Sequence, residues 1–372
     1  MSSYSRSTLP ATAFTLPSKY YMDSSIFDKE IERFYRRMWV CVGRLEEIGR
    51  RGDFLTCDIA GDNVLVVRAG ADDAAVRAFS NVCRHHGTRL CADATGTLNG
   101  TIQCPYHAWT YDYDGRLLGA PHMDGSPGFS RGDFPLNRVR SDVWAGHLFI
   151  TFSANAPTLL TQLANLPDRF APWRMEELRR AERIVYDVAA NWKLIVQNYN
   201  ECLHCPTLHP ALKKLSHYLS GDNEPLQPTY MGGRMDLNEG VDTMSMDGTC
   251  PRDLLPGLNA SDRRRVYYYS IFPNLLLAPH PDYVMTHTLW PLSPSRTRIV
   301  CEWHAHPREM DKADFDLSDA TRFWDMTNRQ DWRICELAQA GISSRGYQPG
   351  PYSNREDLLY AFDRFIVNAL ES

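Results

Sequence analysis

Along the chain, the spacing of apolar residues changes character twice and so marks three stretches. Over residues 1–40, Ile26, Phe27, Ile31, Phe34 and Trp39 recur among charged residues, which predicts a helical segment. From about Gly52 short β-branched runs take over, first 63–68 with Val64, Leu65, Val66 and Val67, then 76–82. Asn99-Gly100 and Asp114-Gly115 punctuate them and read as hairpin turns, which need residues at ease with positive φ. The strand texture runs to Phe152, and 153–157 reads as a linker. Beyond it the pattern predicts helices around 158–180, 191–205 and 315–342, with strands over 265–277, 283–292 and 297–306 adjacent in one sheet. The expected architecture is α+β. An N-terminal segment (1–40) packs on the third stretch, a small all-β domain spans 41–155, and a larger α+β domain spans 156–372.

Bulk properties narrow the function. A chain of 372 residues can bury two modest cores. A net charge of −5 argues against a nucleic-acid partner, which would call for a basic face. No apolar run approaches the roughly 20 residues that span a bilayer. Residues 1–17 are Ser/Thr-rich and hold no apolar stretch of signal-peptide type, so a cytoplasmic protein without a membrane partner is expected. In a reducing compartment the ten cysteines do not form a disulfide framework, and most should be small buried hydrophobes.

Two cysteines lie at metal-ligand spacing from histidines. Cys83-Arg84-His85-His86-Gly87 and Cys104-Pro105-Tyr106-His107-Ala108-Trp109 give Cys-x-His, eighteen intervening residues, then Cys-x-x-His. Two thiolates and two imidazoles suit a tetrahedral zinc or a two-iron cluster. Zinc sites usually pair their cysteines as Cys-x₂₋₄-Cys, whereas here each loop carries one Cys and one His. In the cluster, both cysteines hold one iron and both histidines the other, which raises the potential above that of an all-thiolate cluster. Cys91, between the loops, has no partner at ligand spacing and reads as structural.

A second constellation follows Asn191-Trp192-Lys193. Trp192, Ile195, Val196 and Tyr199 recur at helical spacing, and Glu201 and His204, three apart, share a face. Pro206 should end the helix near Cys205 and swing His209 back toward His204. Two histidines need a carboxylate to make the facial triad of non-haem iron(II). Glu201 nearby and Asp331 far along the chain both qualify, and spacing does not choose between them. Cys202 and Cys205 are spaced like a redox pair but lack a βαβ context, and read as structural filler.

The two Cys/His loops resemble those of the Rieske [2Fe–2S] domain. Glu-x-x-His-x₄-His after Asn-Trp-Lys, with the later Gln330-Asp331-Trp332-Arg333-Ile334-Cys335-Glu336, resembles the catalytic domain of Rieske non-haem iron oxygenase alpha subunits. That resemblance implies a helix-grip-like catalytic domain, a [2Fe–2S] cluster on Cys83, His85, Cys104 and His107, and a mononuclear Fe(II) on His204, His209 and Asp331. It further implies that Glu201 is the inter-subunit bridge by which an electron passes from cluster to iron in a homotrimer. O₂ is the expected co-substrate. No Gly-x-Gly-x-x-Gly fingerprint is present, so electrons from NAD(P)H are expected only through a separate reductase or ferredoxin. One departure stands out: the family often has arginine after the first histidine ligand, and here it is His86, read as a loop or interface residue.

The length, the Glu at 201 and the stretch 344–353 are similar to the branch that acts on quaternary ammonium compounds: glycine betaine, carnitine and choline oxygenases. Such substrates call for a cage of aromatic faces. Tyr267 and Tyr269, or Tyr268 alone, are candidates for its walls with His287 or Trp290. The expected reaction is N-demethylation or hydroxylation of such a compound. Three other readings stand beside it. The aromatics pack the sheet and nothing more, the substrate is a flat aromatic or heterocycle, or the protein is a non-catalytic Rieske electron carrier.

Overall fold

A computed structural model describes residues 9–72 and 75–371, so the first eight residues of the expected N-terminal segment lie outside the described residues. The chain divides into two compact units, Phe34–Gln162 and a second made of Met1–Arg33 with Leu163–Ser372.

The Phe34–Gln162 unit is built of β-strands: β1 (Val40–Arg44), β2 (Asp53–Ile59), β3 (Asp62–Arg68), β4 (Val76–Ser80), β5 (Thr95–Thr97), β6 (Ile102–Gln103), β7 (Thr110–Tyr111), β8 (Leu117–Gly119), β9 (Arg138–Trp144) and β10 (His147–Thr151). They form one sheet in the order β1-β10-β9-β4-β3-β2-β5 and a small one, β6-β7-β8. Asp114-Gly115 turns the chain between β7 and β8, as expected, with Gly115 at φ 84°. A Cβ at Gly115 would lie 2.5 Å from Phe79, so the turn also requires a residue without a side chain. Asn99-Gly100 turns as well but makes no hairpin, because β5 before it and β6 after it belong to different sheets. Val64, Leu65, Val66 and Val67 are all buried, as a strand covered on both faces must be. Leu65 and Val67 share a core with Phe79, Cys83, Cys104 and Trp109, which places the core directly beneath the two Cys/His loops.

The second unit holds β11 (Arg179–Val188), β12 (Asp222–Asn223), β13 (Tyr230–Asp236), β14 (Arg265–Ile271), β15 (Leu275–Pro279), β16 (Val284–Ser293) and β17 (Arg296–Ala305). They form an antiparallel sheet in the order β11-β17-β16-β15-β14-β13-β12. The run expected as one strand over 265–277 is two, β14 and β15, folded back so that Tyr269 faces Leu277. Pro273 in the intervening turn has no N–H to give a ladder.

Five helices matter to the site: α1 (Ser24–Glu30), α2 (Trp192–Tyr199), α3 (Cys205–Leu208), α4 (Ser318–Ile342) and α5 (Asp357–Glu371). Asp23 caps α1 by accepting from the Ser25 N–H at 2.7 Å. The long helix expected over 158–180 is broken into short turns, Leu159–Leu163 and Leu166–Phe170 among them. Ala164 and Arg174 there take left-handed φ of 53° and 46°, close to Pro167 and Pro172. Helix α2 stops at Tyr199 rather than near Cys205. The Asn200 amide donates to the Val196 carbonyl at 2.6 Å, the acceptor that Asn200's own N–H would need to continue the helix. Pro206 instead sits in the first turn of α3, where its missing N–H loses no bond.

Behind α2 lies a closed polar network. Lys193 Nζ sits 2.6 Å from Glu30 Oε1, both side chains 0% exposed, and the Trp192 indole N–H donates to Glu30 Oε2 at 2.8 Å. Gln197 and Tyr352 donate to the two oxygens of Asp363 at 2.6 and 2.7 Å. Among the described residues, no helix is long and apolar enough to cross a membrane.

Candidate metal centres and substrate cavity

The two Cys/His loops of the Phe34–Gln162 unit are the same turn made twice. The Gly87 N–H donates to the Cys83 carbonyl at 3.0 Å and the Ala108 N–H to the Cys104 carbonyl at 3.1 Å. The Cys83 and Cys104 N–H groups donate to Thr88 and Trp109, each at 2.8 Å. Each turn ends in a left-handed residue, Gly87 at φ 73° and Ala108 at φ 57°. The paired turns bring the Cys83 and Cys104 thiols into contact and set the His85 and His107 rings 4.8 Å apart, with His85 stacked on Trp109 at 4.7 Å. His86 stands 4.0 Å from His85 and 5.1 Å from His107 and is exposed.

Burial raises the Cys83 thiol above its ordinary value, outweighing hydrogen bonds from Tyr111 and His85, so its thiolate calls for a cation. Among the described residues, buried His85 Nδ1 has no hydrogen-bond partner, as an atom kept for a ligand would not. Two soft thiolates beside two imidazoles fit a [2Fe–2S] group.

In the second unit, the segment between α2 and α3 places Glu201 against His204, with Glu201 Oε1 2.5 Å from His204 Nδ1. His209 follows the end of α3, where its N–H donates to the Cys205 carbonyl at 2.9 Å, and its side chain is buried. Asp331 reaches them from α4. Its Oδ1 lies 2.8 Å from His209 Nε2 and 3.4 Å from His204 Nε2. The ligand atoms of His204, His209 and Asp331 all lie within 4.8 Å of one another. Glu201, the competing carboxylate, faces the other nitrogen of His204. Burial alone would lower His204, but hydrogen bonds to Asp331 and Glu201 outweigh it and hold the imidazole up at about 10. Burial likewise works against Asp331, yet its two histidines keep it below the usual carboxylate range. Two imidazole nitrogens with one carboxylate fit a divalent iron. Cys202 and Cys205, read above as filler, are joined by a disulfide, their Cα atoms 5.0 Å apart.

These residues floor a cavity of about 90 Å³ whose walls include Tyr199, Tyr268, His287, Trp324 and Trp332. Tyr199 meets Tyr268 and His287 edge-on, each at 5.9 Å. Burial keeps His287 neutral, lowering it to about 4. Of the candidate substrate residues Tyr267, Tyr269 and His287, only His287 lines the cavity. Side chains alternate along β14, so Tyr267 and Tyr269 face the other side of the sheet, 5.2 Å from Trp173 and 5.1 Å from Phe170. Tyr268 takes their place, and Trp290 stands outside the lining. Trp324, Thr327 and Asn328 also line the cavity, outside the residues the motifs single out, and lie seven, four and three residues before Asp331 on one face of α4. That spacing was a usable signal.

Residues 38–134 match the family model of the Rieske [2Fe–2S] domain, and residues 175–372 that of the ring hydroxylating alpha subunit (catalytic domain). The chain belongs to this family: it is the oxygenase subunit of a Rieske non-haem iron enzyme, an oxidoreductase with a [2Fe–2S] cluster and a mononuclear iron. Such subunits work with a separate reductase and a small-molecule substrate, which sets aside the reading as a non-catalytic electron carrier. Its similarities run further. It is 32% identical to the glycine betaine monooxygenase oxygenase subunit of Pseudomonas aeruginosa, covering 96% of this chain and 88% of that one. It is 28% identical to the carnitine monooxygenase oxygenase subunit of Escherichia coli, covering 91% and 87%. Among solved structures, the quaternary ammonium Rieske monooxygenase CntA in complex with L-carnitine matches with a TM-score of 0.78 at 23% identity, over 98% of this chain and 99% of that one. Naphthalene 1,2-dioxygenase from Rhodococcus sp. matches with 0.73 at 19% identity, over 95% and 94%. At such identities these two structures speak for the fold alone.

Proposed function

We propose that the enzyme oxidises a small quaternary ammonium compound such as glycine betaine, by N-demethylation or hydroxylation, as a cytoplasmic homotrimer supplied by a separate reductase or ferredoxin. One observation carries this reading: the cavity beside His204, His209 and Asp331 offers aromatic faces from Tyr199, Tyr268, Trp324 and Trp332. Arg234 is the one Lys or Arg among its described lining residues. Its guanidinium forks to Asp222 and Asp236 at 3.1 and 3.0 Å, on the face of the sheet opposite Tyr268. A methylammonium gains about 0.5–2 kcal/mol from an aromatic face. The names of the relatives, glycine betaine and carnitine monooxygenases, point the same way.

In this reading Cys83, His85, Cys104 and His107 hold the cluster, and His204, His209 and Asp331 hold the iron. When bound, the cluster supplies single electrons and the iron supplies O₂ activation. Glu201 holds the Nδ1 proton of His204 and turns its ring. In the trimer it also reaches His107 of the partner subunit, which gives the electron a hydrogen-bonded route. Tyr199, Tyr268 and Trp324 hold the methylammonium over the reacting site and keep bulk water from it. One oxygen atom enters a methyl C–H bond and the other leaves as water, with two electrons from the reductase and two protons from solvent. The carbinolamine then loses formaldehyde and a proton to leave the tertiary amine.

Substrate-dependent O₂ uptake by the iron-loaded protein with a surrogate reductase tests this, with formaldehyde assayed in parallel for glycine betaine, carnitine, choline and several aromatic acids. Uptake with a methylammonium compound, formaldehyde rising in step, is expected. Uptake with aromatic acids alone, without formaldehyde, would overturn it.

A further inference from the structure

Each imidazole beside Asp331 has its far nitrogen engaged, and the two partners differ in charge. His204 Nδ1 meets the Glu201 carboxylate at 2.5 Å, and His209 Nδ1 meets the Gln330 amide oxygen at 2.7 Å. Gln330 is the residue before Asp331 on α4, so one turn of helix presents both a carboxylate to His209 Nε2 and an acceptor to His209 Nδ1.

A metal takes the lone pair of one ring nitrogen only when the proton sits on the other. The Gln330 oxygen accepts that proton's hydrogen bond at Nδ1, which leaves Nε2 turned toward His204 and Asp331. The ring is also clamped in rotation, held on one edge by residue 330 and on the other by residue 331 of the same rigid helix. An amide, unlike a carboxylate, accepts without drawing the proton strongly toward itself, so His209 is the weaker donor of the pair and His204 the stronger.

We propose that Gln330 is a positioning residue for the mononuclear metal. It fixes the tautomer and the plane of His209, and its neutrality sets the strength of that ligand. The proposal rests on the reading that His204, His209 and Asp331 bind the metal.

Full-length protein stripped of mononuclear iron, with the Rieske absorbance intact, is titrated with Co(II) by following its d–d bands. The Gln330→Leu variant, which has no acceptor, is expected to bind about 10–100-fold more weakly, the usual range for losing such an outer partner. The Gln330→Glu variant keeps an acceptor oxygen in place and adds charge, and is expected to bind at least as tightly as the parent. Opposite responses to two substitutions of one half-buried residue would not come from packing. Binding by the Leu variant within twofold of the parent, or equal losses in both variants, would overturn the proposal. Should the Leu variant fail to fold, Gln330→Met replaces it with the same expectation. His204→Ala separates the two levels. If it binds Co(II) like the parent, the metal-site reading itself fails. If it abolishes binding while Gln330→Leu does not weaken it, only the role of Gln330 fails.

Discussion

Replacing Lys193 with methionine isolates the buried charge behind the helix that leads to Glu201. Lys193 and Glu30 are each 0% exposed and lie 2.6 Å apart. Burial pushes the Glu30 carboxyl up and the Lys193 amine down, and their mutual attraction offsets only part of that. Without Lys193, Glu30 retains one donor, the Trp192 indole N–H at 2.8 Å, and has no counter-charge. Breaking a fully buried pair in this way costs about 3–5 kcal/mol. At about 2–4 °C per kcal/mol for a unit of this size, Tm should fall by roughly 6–20 °C. The double variant Glu30→Met with Lys193→Met should recover most of the loss, because no charge is left to desolvate. It should stay about 1 kcal/mol below the parent, since the Trp192 N–H loses its acceptor. Thermal and urea unfolding followed by circular dichroism on the parent, both singles and the double gives the cycle. A single-variant loss under about 1 kcal/mol, or a double no more stable than the singles, would refute the reasoning.

Two further expectations follow from named contacts. Tyr268→Leu should raise KM for a methylammonium substrate roughly 3–30-fold, the equivalent of one aromatic face. Tyr269→Phe, on the other side of the sheet, should leave KM unchanged, and steady-state kinetics of the pair decides the matter. Asp363 is held at about 7, chiefly by burial and against the hydrogen bonds from Tyr352 and Gln197. A carboxyl raised on folding contributes stability in full below about pH 4, and that contribution is lost as pH climbs through about 7. The loss is on the order of 4 kcal/mol and should vanish in Asp363→Asn, as unfolding free energies measured between pH 4 and 8 would reveal.

What could be read in advance was what is local. The two Cys/His loops are turns of five or six residues, so motif and geometry coincide, down to the repeated Cys-carbonyl hydrogen bond. Asp331 was different. Nothing in residues 191–210 determines which distant carboxylate meets two histidines, and the choice came from resemblance alone. Tyr267 and Tyr269 stand outside the cavity lining, and the pattern hides this for a physical reason. Most of β14 is buried, Val266, Tyr267 and Tyr269 on both faces alike, so no polar side marks which phase of the alternation looks into the cavity. The end of α2 was misplaced because one side chain, the Asn200 amide, takes a carbonyl that periodicity assigns to the backbone. Tyr199 is legible only as a helix core residue, since its second role depends on Tyr268 and His287, in strands far along the chain.

Helix α4 carries Asp331 and Gln330 together with four cavity walls, Trp324, Thr327, Asn328 and Trp332. The two functions are therefore mechanically inseparable on that element: a substitution that shifts or rotates the helix to reshape the walls also displaces the carboxylate that meets His209 Nε2 at 2.8 Å. Tyr268 and Met285 belong to strands that supply no proposed ligand. Variation in substrate preference, in nature or by engineering, is thus free to accumulate on the sheet and is constrained on the helix. A library built on β14 and β16 should keep its metal, and one built on α4 should often lose it.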